Sequence, residues 1–586
     1  MSGFDFEDKT IFVRNREQDI SPWDRTKIVA ILMDESGIPF KIAEEIADEV
    51  QKTVFSLDIK TVSSSLLREL VNAKLIEKGY SKILNKTRRL GLSTSDVKDI
   101  IFSPVPYFNY SPSSPDLSSA YISGTVKRQY AAFNVFPEKL VNLHYQGRLH
   151  INGIDGVDRI YDVVVDCGKL LNFSYSSDNF FVKKPKTCGD FFSNLLKVIL
   201  FLNRFVNNDI VVTGIEKAFM YFDCCSEKER IFTDFLKKID SVFISEKPVR
   251  IFLKDNTLVK SAKSYYSDNF SIKSEIVATP KSYLPSMNIG VLSRIVEDNF
   301  FVVENITLNL PGIALDSKVN GKDFFKYLKK ITENVFSLFA KKGIFVEKML
   351  SKKGTGVYDF LKSLNFNPLS AHYVVSVCGL QECVSLLREK AKFSSDDIDF
   401  AFDILSFLKD IIENLSREYR INSVLGDSDQ SDSSYRFARL DLKFEPYYMG
   451  KVVKGDISSG GVYYSHNSSF LNNHFIGLGE GIDIENRLNS IYSIPFKTVV
   501  RIIDLDNIRT DFVDDFSGYL MLTRDFSVCY HCNVMKGGLY KTCPECLSGN
   551  IANYFYLYSN YSPLSKLNRG LTVMMKNIEY YEDFTI

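Results

Sequence analysis

The chain has 586 residues, 45% of them apolar and 25% charged, which is long enough for two to four domains and a large buried core. Its 72 basic and 72 acidic residues cancel, removing the electrostatic case for a dedicated nucleic-acid or membrane-surface binder. The longest apolar run, NLLKVILFLNRFV, is broken by Lys197 and Arg204 and is too short to span a bilayer, and the opening MSGFDFEDKT has no signal-peptide core. A soluble, cytoplasmic protein is predicted, and six scattered cysteines outside one cluster fit a reducing compartment.

Residues 1–101 read as a small, mostly helical domain: a short strand IFVR, a helix predicted after the cap Ser21 with Pro22 at its first position, and a second helix whose Ile42, Ile46, Val50 and Val54 form one stripe. SLLRELVNAKLIEKGY predicts a third helix, and Ser93 with Asp96 a further helix start. The Pro- and Ser-rich segment 102–119 is predicted as a linker. Over 120–525, strand-like runs (RIYDVVVDC, DIVVTGI, FVVENITLNL, AHYVVSV, KTVVRIIDL) alternate with amphipathic stretches such as KDFFKYLKKITENVFSLFAKKG. That alternation predicts one large α/β domain. LGDSDQSDSSYR, residues 425–436, reads as a mobile polar loop.

Residues 526–586 open on SVCYHCNVMKGGLYKTCPECLSGN, in which Cys529/Cys532 and Cys543/Cys546 form two CxxC pairs. Two such pairs present four thiolates to a tetrahedral ion with a preference for soft ligands, which predicts a zinc ribbon. Four cysteines leave no open coordination position, so the zinc is expected to be structural and to staple the tail; His531 is expected to be an exposed turn residue rather than a ligand.

Several stretches resemble one family in order along the chain. PWDRTKI (22–28) and VRNREQ (13–18) are similar to the ATP-cone, a nucleotide-sensing module. LHYQGRLHINGID (143–155), ENITLNLPGIAL (304–315), GLQE (379–382) and the cysteine pairs followed by NRG (568–570) resemble the anaerobic, glycyl-radical (class III) ribonucleotide reductases. The resemblance implies a ten-stranded α/β barrel of two antiparallel halves, with the ATP-cone before it and the zinc ribbon after it. In active relatives a tail glycine radical generates a thiyl on a finger-loop cysteine, a second cysteine supplies reducing equivalents, and no polar side chain replaces sulfur in that chemistry.

Laid over the family motifs, the second cysteine falls at Asp162, the finger-loop cysteine at Val291 within IGVLSRI, and the radical glycine at Ser559 within LYSNYS. No catalytic residue is therefore assigned. Cys378, Cys167 and Gly570 are the nearest substitutes, and His150 reads as a hydrogen-bonded core histidine. In the cone, Arg14, Arg16 and Lys27 offer charge for a triphosphate, and Val13, Trp23 and Ile28 offer walls for a base, which implies ATP or dATP. Asn15, Glu17 and Gln18 depart from the family pattern there. The leading expectation is a catalytically inactive, nucleotide-responsive regulatory or scaffold protein, oligomeric or bound to a protein partner. The alternatives are an active divergent ribonucleoside-triphosphate reductase, and a zinc-ribbon factor for nucleic acid or protein.

Overall fold

A computed structural model describes residues 11–14, 20–36, 38–56, 61–80, 97, 100, 115–177, 180–242, 248–268, 273–284, 289–292, 298–351, 356–390, 393–427, 430–466, 478–493, 497–501, 511–557 and 560–576. The chain divides into two compact units, 1–92 and 93–586. The cysteine-rich segment belongs to the larger unit.

The small unit has three short strands, with Phe12–Arg14 in the centre, antiparallel to Ile20–Pro22 and parallel to Thr61–Ser63. Helices Arg25–Ser36 and Phe40–Ser56 come between the second and third of these strands in the chain, and helix Ser64–Glu77 follows the third. Helix Phe40–Ser56 buries Ala43, Ile46, Ala47, Val50 and Val54, an i, i+3, i+4 stripe in which the expected Ile42 is only partly buried. The predicted cap at Ser21 is displaced, because Ser21 and Pro22 lie in a strand. Asp24 takes the capping role instead, its Oδ1 accepting from the backbone N–H of Thr26 at 3.0 Å. The helix start predicted at Ser93 lies outside the described residues.

The larger unit is built on ten strands, numbered here in chain order: β1 Asp162–Asp166, β2 Ile210–Thr213, β3 Val249–Leu253, β4 Ser274–Ala278, β5 Ile289–Leu292, β6 Phe300–Asn309, β7 His372–Cys378, β8 Ser423–Leu425, β9 Lys497–Arg501 and β10 Tyr519–Thr523. Their spatial order is β8-β7-β6-β1-β2-β3-β4-β5-β10-β9. Strands β1 to β5 are mutually parallel, and so are β6, β7 and β8, and β9 with β10. The two junctions, β1 with β6 and β5 with β10, are antiparallel. Ser493 N–H, just before β9, donates to Leu425 O of β8 at 3.0 Å and links the ends of the path. The result is the expected ten-stranded α/β barrel of two antiparallel halves.

Alternation along each strand separates two faces. Val249, Ile251, Leu253, Ile276 and Ala278 join the main core with Phe232, Leu236, Leu258 and Val259 of the covering helices Lys228–Val242 and Asn256–Asp268. The opposite face holds two small apolar clusters, Phe252, Val277 and Tyr519, and Tyr161, Val302 and Val374. Between them lie polar residues. Long helices complete the outer layer, among them Cys188–Leu202, closed by a Thr187/Asp190 capping box, and Phe324–Leu350, capped by Asp323.

Three sequence expectations need correction. The predicted linker ends early, since Pro115–Tyr130 is a helix, with proline tolerated in the first turn where its missing N–H is not needed. The predicted mobile loop 425–436 is largely ordered: Leu425 ends β8 and Ser431–Phe444 is a helix. Gln430, Ser433 and Ser434 are buried, and two of them satisfy backbone carbonyls. Gln430 Nε2 donates to Val377 O at 2.7 Å, and Ser434 Oγ donates to Tyr464 O at 2.7 Å. The scattered cysteines are not all thiols, for Cys188 and Cys224 form a disulfide with Cα atoms 6.7 Å apart.

Glu304 on β6 and Lys342 on the long helix are both fully buried. Lys342 Nζ lies 3.5 Å from Glu304 Oε2 and donates to Val157 O at 2.8 Å, while Gly153 N and Asn305 N donate to Glu304 Oε1. Burial pushes the glutamate up and the lysine down from their ordinary values, opposed in each case by the partner's charge. Removing one partner strands a buried charge. Lys342→Met is expected to destabilise the protein by about 3–5 kcal/mol, and Glu304→Gln combined with Lys342→Met to recover most of that loss. Denaturant unfolding of the single and double variants checks both.

Candidate functional site

The four cysteines converge as the spacing predicts. Their sulfurs all lie within 4.8 Å of one another, with Cys529–Cys546 and Cys532–Cys543 at 3.6 Å. Tetrahedral thiolate ligands at about 2.3 Å from zinc stand roughly 3.8 Å apart, so the set could bind zinc. Two matched turns build it. Cys529 N–H donates to Val534 O at 3.0 Å and Cys543 N–H to Ser548 O at 2.9 Å. Asn533 and Leu547, each directly after a pair's second cysteine, are left-handed (φ 56° and 58°), which swings the following carbonyl back under the first cysteine. Backbone N–H groups of Cys532 and His531 hold the Cys529 thiol below its ordinary value. His531 is exposed, as expected.

These turns belong to a four-stranded sheet of Phe526–Cys529, Met535–Gly537, Ile551–Leu557 and Asn560–Pro563. Its third strand reaches the inner face of the barrel. Tyr556 OH donates to Glu275 Oε2 at 2.5 Å, and Tyr519 OH bonds Glu275 Oε1, which also accepts from Arg250 Nε at 3.0 Å. The tail then returns as helix Arg569–Lys576 against Gly461–Tyr463.

The three positions expected to have carried radical chemistry are dispersed in character. Asp162 starts β1, and its Oδ1 accepts from Asn208 Nδ2 and Asp209 N–H, both at 2.8 Å, so the carboxylate fixes the start of β2. Val291 is an internal residue of β5, its backbone paired with Ala278 and Leu520. Ser559 lies outside the described residues. Of the substitutes, Cys167 and Cys378 are fully buried, and burial raises both thiols well above their ordinary value. Gly570 opens the tail helix, where an added Cβ would meet Tyr435 Cδ2 at 2.5 Å and Val462 O at 2.6 Å.

A buried polar network at the carboxyl ends of β6 and β7 was not anticipated. Arg148 forms a two-pronged bond to Asp316 (Nε–Oδ2 2.7 Å, Nη2–Oδ1 2.8 Å) and donates through Nη1 to Asp441 Oδ1 at 2.6 Å. Asp441 also accepts from Asn309 Nδ2 at 2.7 Å and Tyr464 OH at 2.8 Å. Asn309 Oδ1 caps the helix Leu310–Val319 through Gly312 N–H. Beside it Gly379, at φ 77°, turns the chain from β7 into helix Leu380–Leu387, and Glu382 accepts from Ser465 N–H and Oγ. Deeper in the barrel, Asn152 Nδ2 bonds Asn305 Oδ1 and Thr307 Oγ1, and Thr307 bonds Ser376 at 2.9 Å. LHYQGRLH, NLPG and GLQE, singled out by resemblance, supply Arg148, Asn309 and Glu382. Nothing in the sequence points to Asp441 or Tyr464.

In the small unit, Trp23 Nε1 donates to Gln51 Oε1 at 3.2 Å and the indole packs edge-on to Phe55. Val13 and Ile28 pack partly against the core, and Lys27 is exposed. Arg14 has its backbone in the central strand, and Arg16 lies outside the described residues. Among the described residues, then, the candidate walls are packing residues and Lys27 is a free-standing cation.

Metal content and local protection test the cysteine site. One zinc per chain is expected on elemental analysis, and Cys532→Ala is expected to abolish stoichiometric binding and to raise amide exchange across 526–557 while the barrel stays protected. Tyr556→Phe removes one hydrogen bond to a carboxylate and is expected to cost about 1.5–3 kcal/mol by thermal unfolding.

Residues 281–555 match the family model for anaerobic ribonucleoside-triphosphate reductase. A search of curated proteins found no match. Among solved structures, the anaerobic ribonucleotide reductase from Thermotoga maritima in complex with dATP and CTP aligns with a TM-score of 0.65 at 12% identity, over 80% of this chain and 93% of that one. The same protein with dATP bound in the specificity site aligns with a TM-score of 0.62 at 12% identity, over 77% and 92%. Another anaerobic ribonucleotide reductase aligns with a TM-score of 0.61 at 12% identity, over 90% and 99%. Among the described residues no helix is long and apolar enough to cross a membrane. Residues 281–555 thus carry a likeness to the anaerobic ribonucleoside-triphosphate reductase family, and the fold is the one seen in the anaerobic ribonucleotide reductases.

Proposed function

We propose that the chain is a member of that group without radical chemistry, serving as a nucleotide-responsive regulatory or scaffold protein whose four cysteines hold a structural zinc. One observation supports it most: Asp162, at the position read as the second cysteine, has its carboxylate committed to Asn208 and Asp209 N–H. The second cysteine supplies reducing equivalents by thiol oxidation, which a carboxylate does not undergo, and hydrogen abstraction from a ribose carbon requires a sulfur radical at the finger-loop position. Val291, at the finger-loop position, is held in a strand. Cys378 and Cys167 are enclosed with no exposure, so neither meets a nucleotide without local opening.

The cone residues Arg14, Arg16 and Lys27, with Val13, Trp23 and Ile28, are the proposed contacts for ATP or dATP. Lys27 is exposed and lies on the first turn and a half of helix Arg25–Ser36. Calorimetric titration of zinc-loaded protein with ATP and then dATP is expected to give saturable binding, weakened roughly 10- to 100-fold by Lys27→Ala through loss of a charge-assisted phosphate contact. No heat from either nucleotide would leave a scaffold alone.

An active reductase is the second reading. Its support is that Cys378 and Gly570 approach one segment from two sides: Gly379 N–H donates to Ser465 O at 3.3 Å, and Gly570 abuts Val462 O. It requires a glycyl radical signal in electron paramagnetic resonance after treatment with an S-adenosylmethionine activase, lost in Gly570→Ala. The inactive reading expects no signal beside a competent control.

A further inference from the structure

The disulfide in the outer helical layer has no part in the functional reading above. Cys188 is the first residue of helix Cys188–Leu202, and Cys224 lies in the loop between helices Glu216–Tyr221 and Lys228–Val242, 36 residues further along the chain. Cys188 is buried, Cys224 is half-buried, and the adjoining Cys225 is an exposed free thiol. The bond belongs to no wider disulfide framework, since Cys167, Cys378 and Cys383 are buried free thiols. The elements it joins are packed together without it. Phe192 of the first helix lies 5.2 Å from Phe219 and 5.1 Å from Phe235, ring centroid to ring centroid. Opening the bond therefore leaves the core closed and affects the surface loop at 222–227. That loop turns through Asp223 at φ 51° and keeps two backbone bonds of its own, Cys224 N–H to Phe219 O at 3.0 Å and Glu227 N–H to Cys224 O at 3.1 Å.

A small thiol has room to reach the bond. A groove of about 560 Å³ is lined by both cysteines and by Lys186, Glu227, Arg230 and Lys238. On the helix side it is uncovered: a Cβ added at Gly189 would meet Thr187 Oγ1 at 3.9 Å and nothing nearer. The charges suit an anionic attacker. Glu227 and Asp234 are both engaged by Arg230, and the Asp190 carboxylate beside Lys186 accepts from the N–H groups of Lys186 and Thr187. The lysines at the rim, Lys186 and Lys238, then favour a thiolate over a neutral thiol. The two sulfurs are also unequal. Cys224 is the more open to attack, and Cys188 departs at the N-terminus of a 15-residue helix, where backbone N–H groups stabilise the leaving thiolate.

We propose that Cys188 and Cys224 form a reversible two-electron redox site for a small peptide thiol, and that reduction frees the loop at 222–227. A first thiolate attacks Cys224 Sγ, the Cys188–Cys224 bond breaks, and Cys188 leaves as a thiolate that takes up a proton. A second thiolate attacks the outer sulfur of the mixed disulfide, and Cys224 leaves and is protonated in turn. The protein gains two electrons and two protons, and the incoming thiols depart as their own disulfide. An excess of that disulfide runs the same steps backwards. Cys225, although adjacent and exposed, stays outside the pair.

The test is to equilibrate the zinc-loaded full chain in mixtures of reduced and oxidised glutathione, quench with acid, alkylate, and map the labelled peptides. Cys188 and Cys224 are expected to be blocked together in the oxidised mixtures and alkylated together in the reduced ones, with a change of about tenfold or more in labelling. Cys225→Ser is expected to give the same transition. In the reduced protein, amide exchange is expected to rise over 222–227 and at the start of helix Cys188–Leu202, while the barrel strands keep their protection. Two results overturn the redox site: alkylation of both cysteines in every mixture, or a bond that reduced glutathione opens only after denaturant is added. A transition lost in Cys225→Ser overturns the pairing, and equal exchange in the two states, or loss of barrel protection on reduction, overturns the release of the loop.

Discussion

Asp441 is the point on which the mouth of the barrel converges, because a fully buried carboxylate survives only where its lone pairs are filled. Arg148, Asn309 and Tyr464 fill them from three segments distant in sequence: the turn before the barrel, the end of β6, and the strand at 461–463 with its extension. Each donor has a second duty. Arg148 also clamps Asp316, Asn309 caps the next helix, and Tyr464 is held by Ser434. Removing one member therefore exposes a charge and releases a cap together, so the cost resembles that of breaking a buried ion pair, about 3–5 kcal/mol, rather than of losing one neutral hydrogen bond.

The tail depends on the same logic at the other side of the barrel. Glu275 is buried against Arg250, and two tyrosine hydroxyls complete its shell, one from β10 and one from the cysteine-bearing sheet. The cysteine turns thus do more than fold a small sheet: they fix the strand that delivers Tyr556 to the barrel's inner face. The relatives' fold is kept here with other side chains at the positions where resemblance places the radical residues. Buried carboxylates such as Glu275 and Asp441, each held by several donors, brace that fold.

Much of this was legible in the sequence. The convergence of the four cysteines was readable from the two CxxC pairs, because metal ligation restricts residue type and spacing at once. The barrel came through family order rather than strand pattern, since several of its strands (Val249–Leu253, Ser274–Ala278, Tyr519–Thr523) are only five residues long, two of them carrying a charged residue, Arg250 or Glu275, that blurs the apolar signal. The loop at 425–436 was misread because Ser and Gln report polarity, not location, and here they serve buried carbonyls. The Asp441 network was invisible for a different reason. Arg148 and Asp441 lie 293 residues apart, and no local pattern encodes so distant a partner. Ser21 failed as a cap because strand pairing with Val13 outweighed a local preference worth about 1 kcal/mol.

The strand order has a consequence for how the chain reaches this state. The first half of the barrel, β1 to β5, is complete in sequence at Leu292, yet its two borders wait for partners, one from β6 immediately after and the other from β10 near the far end of the barrel. During synthesis the Ile289–Leu292 edge therefore stays unpaired until Tyr519–Thr523 has emerged, and closing so long a loop is slow. An open, apolar edge of that kind invites pairing with other nascent chains. Gly290, whose added Cβ would meet Tyr519 Cε2 at 2.5 Å, leaves that edge the room the late-arriving tyrosine ring needs.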